Sequence, residues 1–212
     1  MKKILLPALL GAALLASPAA FAQKAVSKNA TAAVATYKLQ PQLSTLGWDG
    51  KAVTHGHNGT IQFTSGDLQV RNNMVVGGTA VVDMKTIKAT DITDADNHAK
   101  FVGHMSSGDF FDAPAFPTST FKITSVTPIA GAAADADNAT ITGDMTIKGV
   151  TQRVSFPAKV GVKNGVAAAT GKVTIDRTKF GLKYGSKSFF DSIGDKAIND
   201  EFTLAFNVIA KQ

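Results

Sequence analysis

After Tyr37 the chain alternates apolar and polar residues with a period of two, run after run, and few architectures accept that pattern. Ile141, Gly143, Met145 and Ile147 interleave with Thr140, Thr142, Asp144, Thr146 and Lys148. Val154, Phe156, Ala158, Val160 and Val162 alternate with Arg153, Ser155, Lys159 and Lys163, and Phe202, Leu204, Phe206, Val208 and Ala210 repeat the pattern near the C-terminus. Phe121 and Ile123 share a face beside Lys122 and Thr124. Successive side chains of extended backbone point to opposite faces, so each run predicts a strand with one face on a core and one in water. Asn164-Gly165 between two such runs is a strong hairpin signal. Lys148-Gly149, Arg71-Asn72-Asn73, Ser65-Gly66 and Gly77-Gly78 are read as further reversals. The closely spaced strands argue an all-β, antiparallel sandwich or barrel rather than βαβ units, and the count of roughly eight is the number whose closed, eight-stranded barrel can hold one small ligand. One short helix is expected over an opening, capped by Thr93-Asp94 and running through Ala95, His98, Phe101, Val102 and Met105 to the Ser106-Ser107-Gly108 breaker. A second short turn is expected around Ser188 to Ile193. The inward sets contain Phe, Met and Ile, so the lumen is either a filled core or an apolar pocket, and periodicity does not choose between them.

The N-terminus has a different character. Met1-Lys2-Lys3 is followed by an apolar run from Ile4 to Ala16, then Ser17-Pro18 and the small-residue signature Ala20-Phe21-Ala22. Positive start, apolar middle and A-x-A end predict a secretory signal peptide over residues 1–22, cleaved before Gln23, and a periplasmic or secreted protein. The run falls short of the about 20 apolar residues that a membrane-spanning helix needs, and no later segment approaches that length. Residues 23–35 read as a flexible mature N-terminus and 36–212 as one domain. The chain has no cysteine, which excludes thiol catalysis, iron–sulfur clusters, Cys-ligated zinc and a lipid-modified N-terminal Cys. A formal charge of +6, two of it in Lys2 and Lys3, comes without Lys/Arg clusters or basic-aromatic interleaving, so nucleic acid is not an expected partner. The remaining charge reads as ordinary solubilising charge, with mild attraction to anionic lipid surfaces as the alternative.

Polar groups in the pattern are few. His55 and His57 lie two apart on a predicted strand, so both could reach one metal. That strand has no carboxylate, and His98 and His104 are six apart, off the i, i+4 spacing that would align them. The histidines are read as hydrogen-bonding groups at a barrel mouth or under the helix, and neither metal nor cofactor is expected. Arg177 shares parity with Val173 and Ile175 and so points inward. A buried guanidinium needs a carboxylate or an anionic ligand beside it. The choice lies between a fixed ion pair with Asp109, Asp176 or Asp195, a bulge that turns Arg177 to solvent, and a contact to a lipid head group. Asp109 and Asp112 sit in a turn-like segment rather than across a substrate. With no G-x-S-x-G elbow, H-E-x-x-H helix or phosphate-binding glycine loop, no enzyme is predicted.

Four segments carry a more specific signal. They are Leu46-Gly47-Trp48-Asp49-Gly50-Lys51 with His55-Gly56-His57-Asn58-Gly59-Thr60-Ile61; His104-Met105-Ser106-Ser107-Gly108-Asp109-Phe110-Phe111-Asp112 with Phe116-Pro117-Thr118 and Phe121; Gly143-Asp144-Met145-Thr146-Ile147-Lys148-Gly149-Val150-Thr151 with Val154-Ser155-Phe156-Pro157; and Asp176-Arg177-Thr178-Lys179-Phe180-Gly181 with Tyr184-Gly185-Ser186. In this order and spacing they resemble the YceI-like family of exported bacterial proteins, from about Tyr37 to Ala210. The resemblance implies a lipocalin-like barrel whose hydrophobic tunnel binds a polyisoprenoid or similar long-chain lipid, and often a homodimer. Under that reading Trp48, Phe63, Phe101, Met105, Phe110, Phe111, Phe121, Ile123, Met145, Phe156, Phe180 and Phe206 are the candidate lining, and His57, His104 and Arg177 the head-group candidates. Two other readings stand beside it: an envelope interaction protein whose barrel is a scaffold for protein partners, and a lipid-modifying enzyme using His57, His104 or Arg177.

Overall fold

Antiparallel pairing runs through the whole sheet of this computed structural model, which describes residues 32–212. The signal segment and the tether up to Thr31 lie outside the described residues. The strands are β1 (Ala35–Leu39), β2 (Thr45–Ala52), β3 (Gly56–Arg71), β4 (Met74–Ala89), β5 (Thr118–Pro128), β6 (Ala139–Ile147), β7 (Val150–Lys163), β8 (Val166–Asp176) and β9 (Ile198–Lys211), with α1 (Ala95–Ser106) between β4 and β5. The sheet closes on itself because β2 pairs with both β3 and β9, while β3 also pairs with β4. β1 and β2 share one position in the ring. β1 lies along Asp67 to Val70 of β3, β2 along Gly56 to Ile61, and a 3-10 turn at Pro41–Leu43 separates them. The nine segments thus make a closed eight-stranded barrel, one of the two architectures the alternation allows and the one the family resemblance implies.

The tight hairpins follow their residue types. Asn72 and Asn73 (φ 51° and 61°), Lys148 and Gly149 (48° and 75°), and Asn164 and Gly165 (51° and 73°) take the left-handed backbone that two-residue hairpin loops require. Ser65-Gly66 and Gly77-Gly78 are corrected: they reverse nothing and lie inside β3 and β4. Gly66 and Gly78 have φ of 154° and 149°, and a Cβ at either would run into the carbonyl of the neighbouring strand. Bulges lie close to them, at Thr64 and Val76. The buried face of β3 moves from Ile61 and Phe63 to Leu68 and Val70, and that of β4 from Val75 to Val82 and Met84, then to Ile87 and Ala89. Each bulge adds a residue and changes parity, so two strands of this length never show one uninterrupted alternation.

The helix begins where predicted, with the Asp94 side chain accepting the Asn97 N–H at 2.9 Å. None of its residues is fully buried, and Phe101, Val102 and Met105 rest on the barrel only in part. The turn expected around Ser188 to Ile193 is irregular, and a 3-10 turn follows at Gly194–Lys196.

The two ends of the barrel differ. At the end away from α1, Leu39, Leu68 and Val208 form one buried layer, with Tyr37, Val70, Val75, Ala167 and Ala210 buried behind it. Asn73 in the β3–β4 turn donates to the Val162 carbonyl of β7, 3.0 Å away across that end. The long connections from β4 to β5 and from β8 to β9 both leave at the opposite end, where they build a rim.

Candidate functional site

Inward residues of β2 to β9 surround a cavity of about 460 Å³, within the range of about 300–1,000 Å³ usual for small-molecule sites. This decides between filled core and pocket. Phe121, Ile123, Leu204 and Phe206 face inward yet remain only partly buried, because the surface they keep is cavity wall. Aromatic rings span the interior, with Phe156 5.5 Å from both Phe121 and Phe206. Gly143 makes room for this: a Cβ there would stand 2.5 Å from the Phe121 ring. Every expected lining residue except Phe180 borders the cavity: Trp48, Phe63, Phe101, Met105, Phe110, Phe111, Phe121, Ile123, Met145, Phe156 and Phe206.

Phe180 is a correction. Strand β8 ends at Asp176 and the chain enters a 3-10 turn over Arg177–Phe180, so parity no longer gives direction. The ring is 2% exposed and joins the buried cluster of Ile175 and Leu182 instead. Val82, Met84 and Ile87 of β4 line the cavity and were not among the candidates. Their signal, a brief alternation between Gly78 and Lys85, was too short to read across bulges.

Polar groups gather at the rim. His57 Nδ1 lies 2.8 Å from Asp91 Oδ2, and its ring packs 4.6 Å from Phe101 and 5.5 Å from His55. The Asn58 N–H donates to Asp91 Oδ1 at 3.2 Å. Burial alone would raise the Asp91 pKa, but the hydrogen bonds from His57 and backbone N–H groups hold it below the ordinary aspartate value. His104 Nε2 lies 3.3 Å from Asp109 Oδ2, with its ring edge-on to Phe110 and Tyr184. His57 and His104 thus both reach the mouth and the cavity, one from β3 and one from α1. Trp48 sits beneath them, its Nε1–H donating to the Lys88 carbonyl at 3.2 Å and its ring stacked 6.1 Å from Phe101. Deeper in the wall, Asp67 and Thr79, register partners on β3 and β4, also touch the cavity.

Arg177 does point inward and is 4% exposed, but its donors serve the main chain. It donates to the carbonyls of Asn199 (2.9 Å), Leu182 (2.7 Å), Tyr184 (2.8 Å) and Ile198 (3.0 Å). The nearby carboxylate is Asp200, 3.6 Å away, rather than Asp109, Asp176 or Asp195. Arg177 borders the cavity, but with its hydrogen bonds engaged this way it acts as a clasp between the β8–β9 connection and β9. Burial pulls the Asp200 pKa up, while hydrogen bonds from Ser186 and Ser188 and the charge of Arg177 bring it below the ordinary value. Among the described residues no three His, Cys, Asp or Glu side chains converge in a way that could hold a metal ion.

Similarity to known proteins runs in the same direction. A UPF0312 protein of Pseudomonas paraeruginosa is 38% identical over 93 residues, 41% of this chain and 46% of the relative, so the chain spans about half the length of the curated relatives it matches. BcnA of Burkholderia cenocepacia has the same fold, with a TM-score of 0.63 at 19% identity over 82% of this chain and 99% of that one. So does a polyisoprenoid binding domain from Saccharophagus degradans, implicated in plant cell wall breakdown, with a TM-score of 0.56 at 15% identity over 82% and 97%. The model of the YceI-like domain matches residues 37–210, the entire barrel but for its outermost residues, and the chain belongs to that family.

Proposed function

We propose that this chain is a binding protein that takes the tail of one polyisoprenoid or similar long-chain amphiphilic lipid into its barrel. The cavity carries the proposal: a wall mainly of aromatic and aliphatic side chains, interrupted deep in β3 and β4 by Asp67 and Thr79, with His57 and His104 at the mouth. A long apolar tail has no hydrogen-bonding needs, and each methylene transferred from water gains about 0.8 kcal/mol. Tight binding therefore needs no reactive group, and His57 and His104 are suited to hydrogen-bond a polar head at the rim. The solved relative described as a polyisoprenoid binding domain supports this choice of ligand class. Residues 1–22 support export to the periplasm or beyond, a setting in which a free lipid tail would not stay dissolved.

Native mass spectrometry of the protein purified from its host is the test. A co-purifying lipid of defined mass, released on denaturation, is the expected result, and protein that stays empty when offered long-chain lipids would refute the reading. Sequencing the mature N-terminus addresses export. A start at Gln23 is expected, whereas a cytoplasmic chain retaining Met1 would count against it.

A further inference from the structure

Next to the mouth, the connection between β8 and β9 holds an apolar pair in solvent. Phe189 and Phe190 are 47% and 49% exposed, and Tyr184, in the same connection, is 44% exposed. Loose backbone does not account for this. The N–H groups of Phe189 and Phe190 both donate to the Ser186 carbonyl, at 3.2 and 3.1 Å, and Ser186 itself is fully buried. Ser188 donates its hydroxyl to the Asp200 carboxylate, and Arg177 binds the carbonyls of Tyr184 and Ile198 on either side of the segment. A buried arginine and a Ser–Asp contact thus hold two phenyl rings out of the core. Lysines frame them. Lys183 Nζ lies 4.6 Å from the centre of the Phe189 ring, and Lys187 shares a shallow depression with Val53, itself 50% exposed. Lys196 completes the set against Asp191 and Asp195 in the same connection. Tyr184 and Ile198 also line the cavity, so the connection that carries the pair reaches the mouth.

We infer that this patch docks the barrel mouth-first on an anionic lipid bilayer, with Phe189 and Phe190 at the boundary between head groups and acyl chains and the lysines at the phosphates. Aromatic rings beside lysines are the composition favoured at that depth. A bilayer needs no shape complementarity and tolerates an open mouth in the middle of the contact. A second copy of the chain would need about 800 Å² of fitted surface per partner. The inference rests on the reading that the cavity takes a lipid tail: docked this way, the tail passes between membrane and barrel without crossing water, where each exposed methylene would disfavour the passage about fourfold.

The test uses the full mature chain and vesicles of phosphatidylethanolamine with phosphatidylglycerol. The wild type is expected to float with them. The Phe189→Ser/Phe190→Ser variant should partition about tenfold less, and Lys183→Glu/Lys187→Glu should lose binding only when phosphatidylglycerol is present. Both variants should keep the wild-type urea midpoint, because the replaced side chains lie at the surface. Binding of a fluorescent polyene fatty acid below its micellar concentration reads the cavity separately. Equal probe binding with reduced flotation of the phenylalanine variant supports docking. Flotation that depends on the pair without probe binding by any form also supports docking, and defeats the cavity reading alone. Equal flotation of wild type and phenylalanine variant, or none by either, overturns docking. A dimer that the phenylalanine variant dissolves while its flotation is unchanged overturns it in favour of a second copy.

Discussion

Replacing Arg177 with Met would strip the carbonyls of Leu182, Tyr184, Ile198 and Asn199 of their donor and leave Asp200 without its cation. Loss of a buried, hydrogen-bonded charge of this kind costs about 3–5 kcal/mol, so Arg177→Met should lower the urea midpoint markedly. A phosphorylated lipid and the corresponding alcohol should then lose affinity alike, and a selective loss for the phosphate would mark Arg177 as a head-group residue. The rim carboxylates have a different signature. Asp91 and Asp200 both have folded-state pKa values below the ordinary one. Their contribution is therefore complete at neutral pH and is lost as the pH falls from about 4 through the folded values. Asp91→Asn should flatten part of the acid limb in a plot of urea midpoint against pH, and a curve superimposable on the wild type would deny the His57 contact a role in stability. Parity along β8 was enough to turn Arg177 inward. Its partners were not legible, because Leu182 and Tyr184 lie in a connection whose path no local pattern encodes, and Ile198, Asn199 and Asp200 at the start of β9 meet Arg177 only once that connection is folded.

α1 shows what an element can do when only part of one face holds it. Asp94 caps it and no residue in it is fully buried, so it is fastened to the rim mainly through Phe101, Val102 and Met105. Asp94→Ala should cost about 1 kcal/mol of helix stability. The loss should appear as faster amide exchange in α1 and faster release of bound lipid, with a thermal midpoint close to the wild type. A lowered midpoint with unchanged release would mean that α1 belongs to the global fold and does not gate the mouth. The helix and the three tight hairpins were readable from sequence because each depends on residues within a few positions of one another. β3 and β4 were not. Register shifts at Thr64, at Val76 and between Asp83 and Lys88 place the parity changes inside long strands, and the nearby Gly66 and Gly78 read locally as turns. The cavity wall contributed by Val82, Met84 and Ile87 was hidden with them.

At the scale of the molecule, alternation allowed a sandwich or a barrel and left a barrel's contents open, since a filled core and a hollow one bury the same face. The aromatic layer of Phe121, Phe156 and Phe206 is seated where Gly143 stands against Phe121 and Gly171 against Phe206, and the cavity lies beside these rings. Trp48, the only tryptophan, stands in the wall near the mouth and should report occupancy through its fluorescence. A titration with fatty alcohols of increasing length gives that signal its use. The layers of Leu39, Leu68 and Val208, then Tyr37, Val70, Val75, Ala167 and Ala210, close the far end. Affinity should therefore climb by about 0.8 kcal/mol for each added methylene until the tail meets this floor, and then level off. A tube open at both ends would show no such break. Without one hydrogen bond to the tail, the blind end makes the barrel a gauge, sorting lipids by how deep they reach before any head group is read.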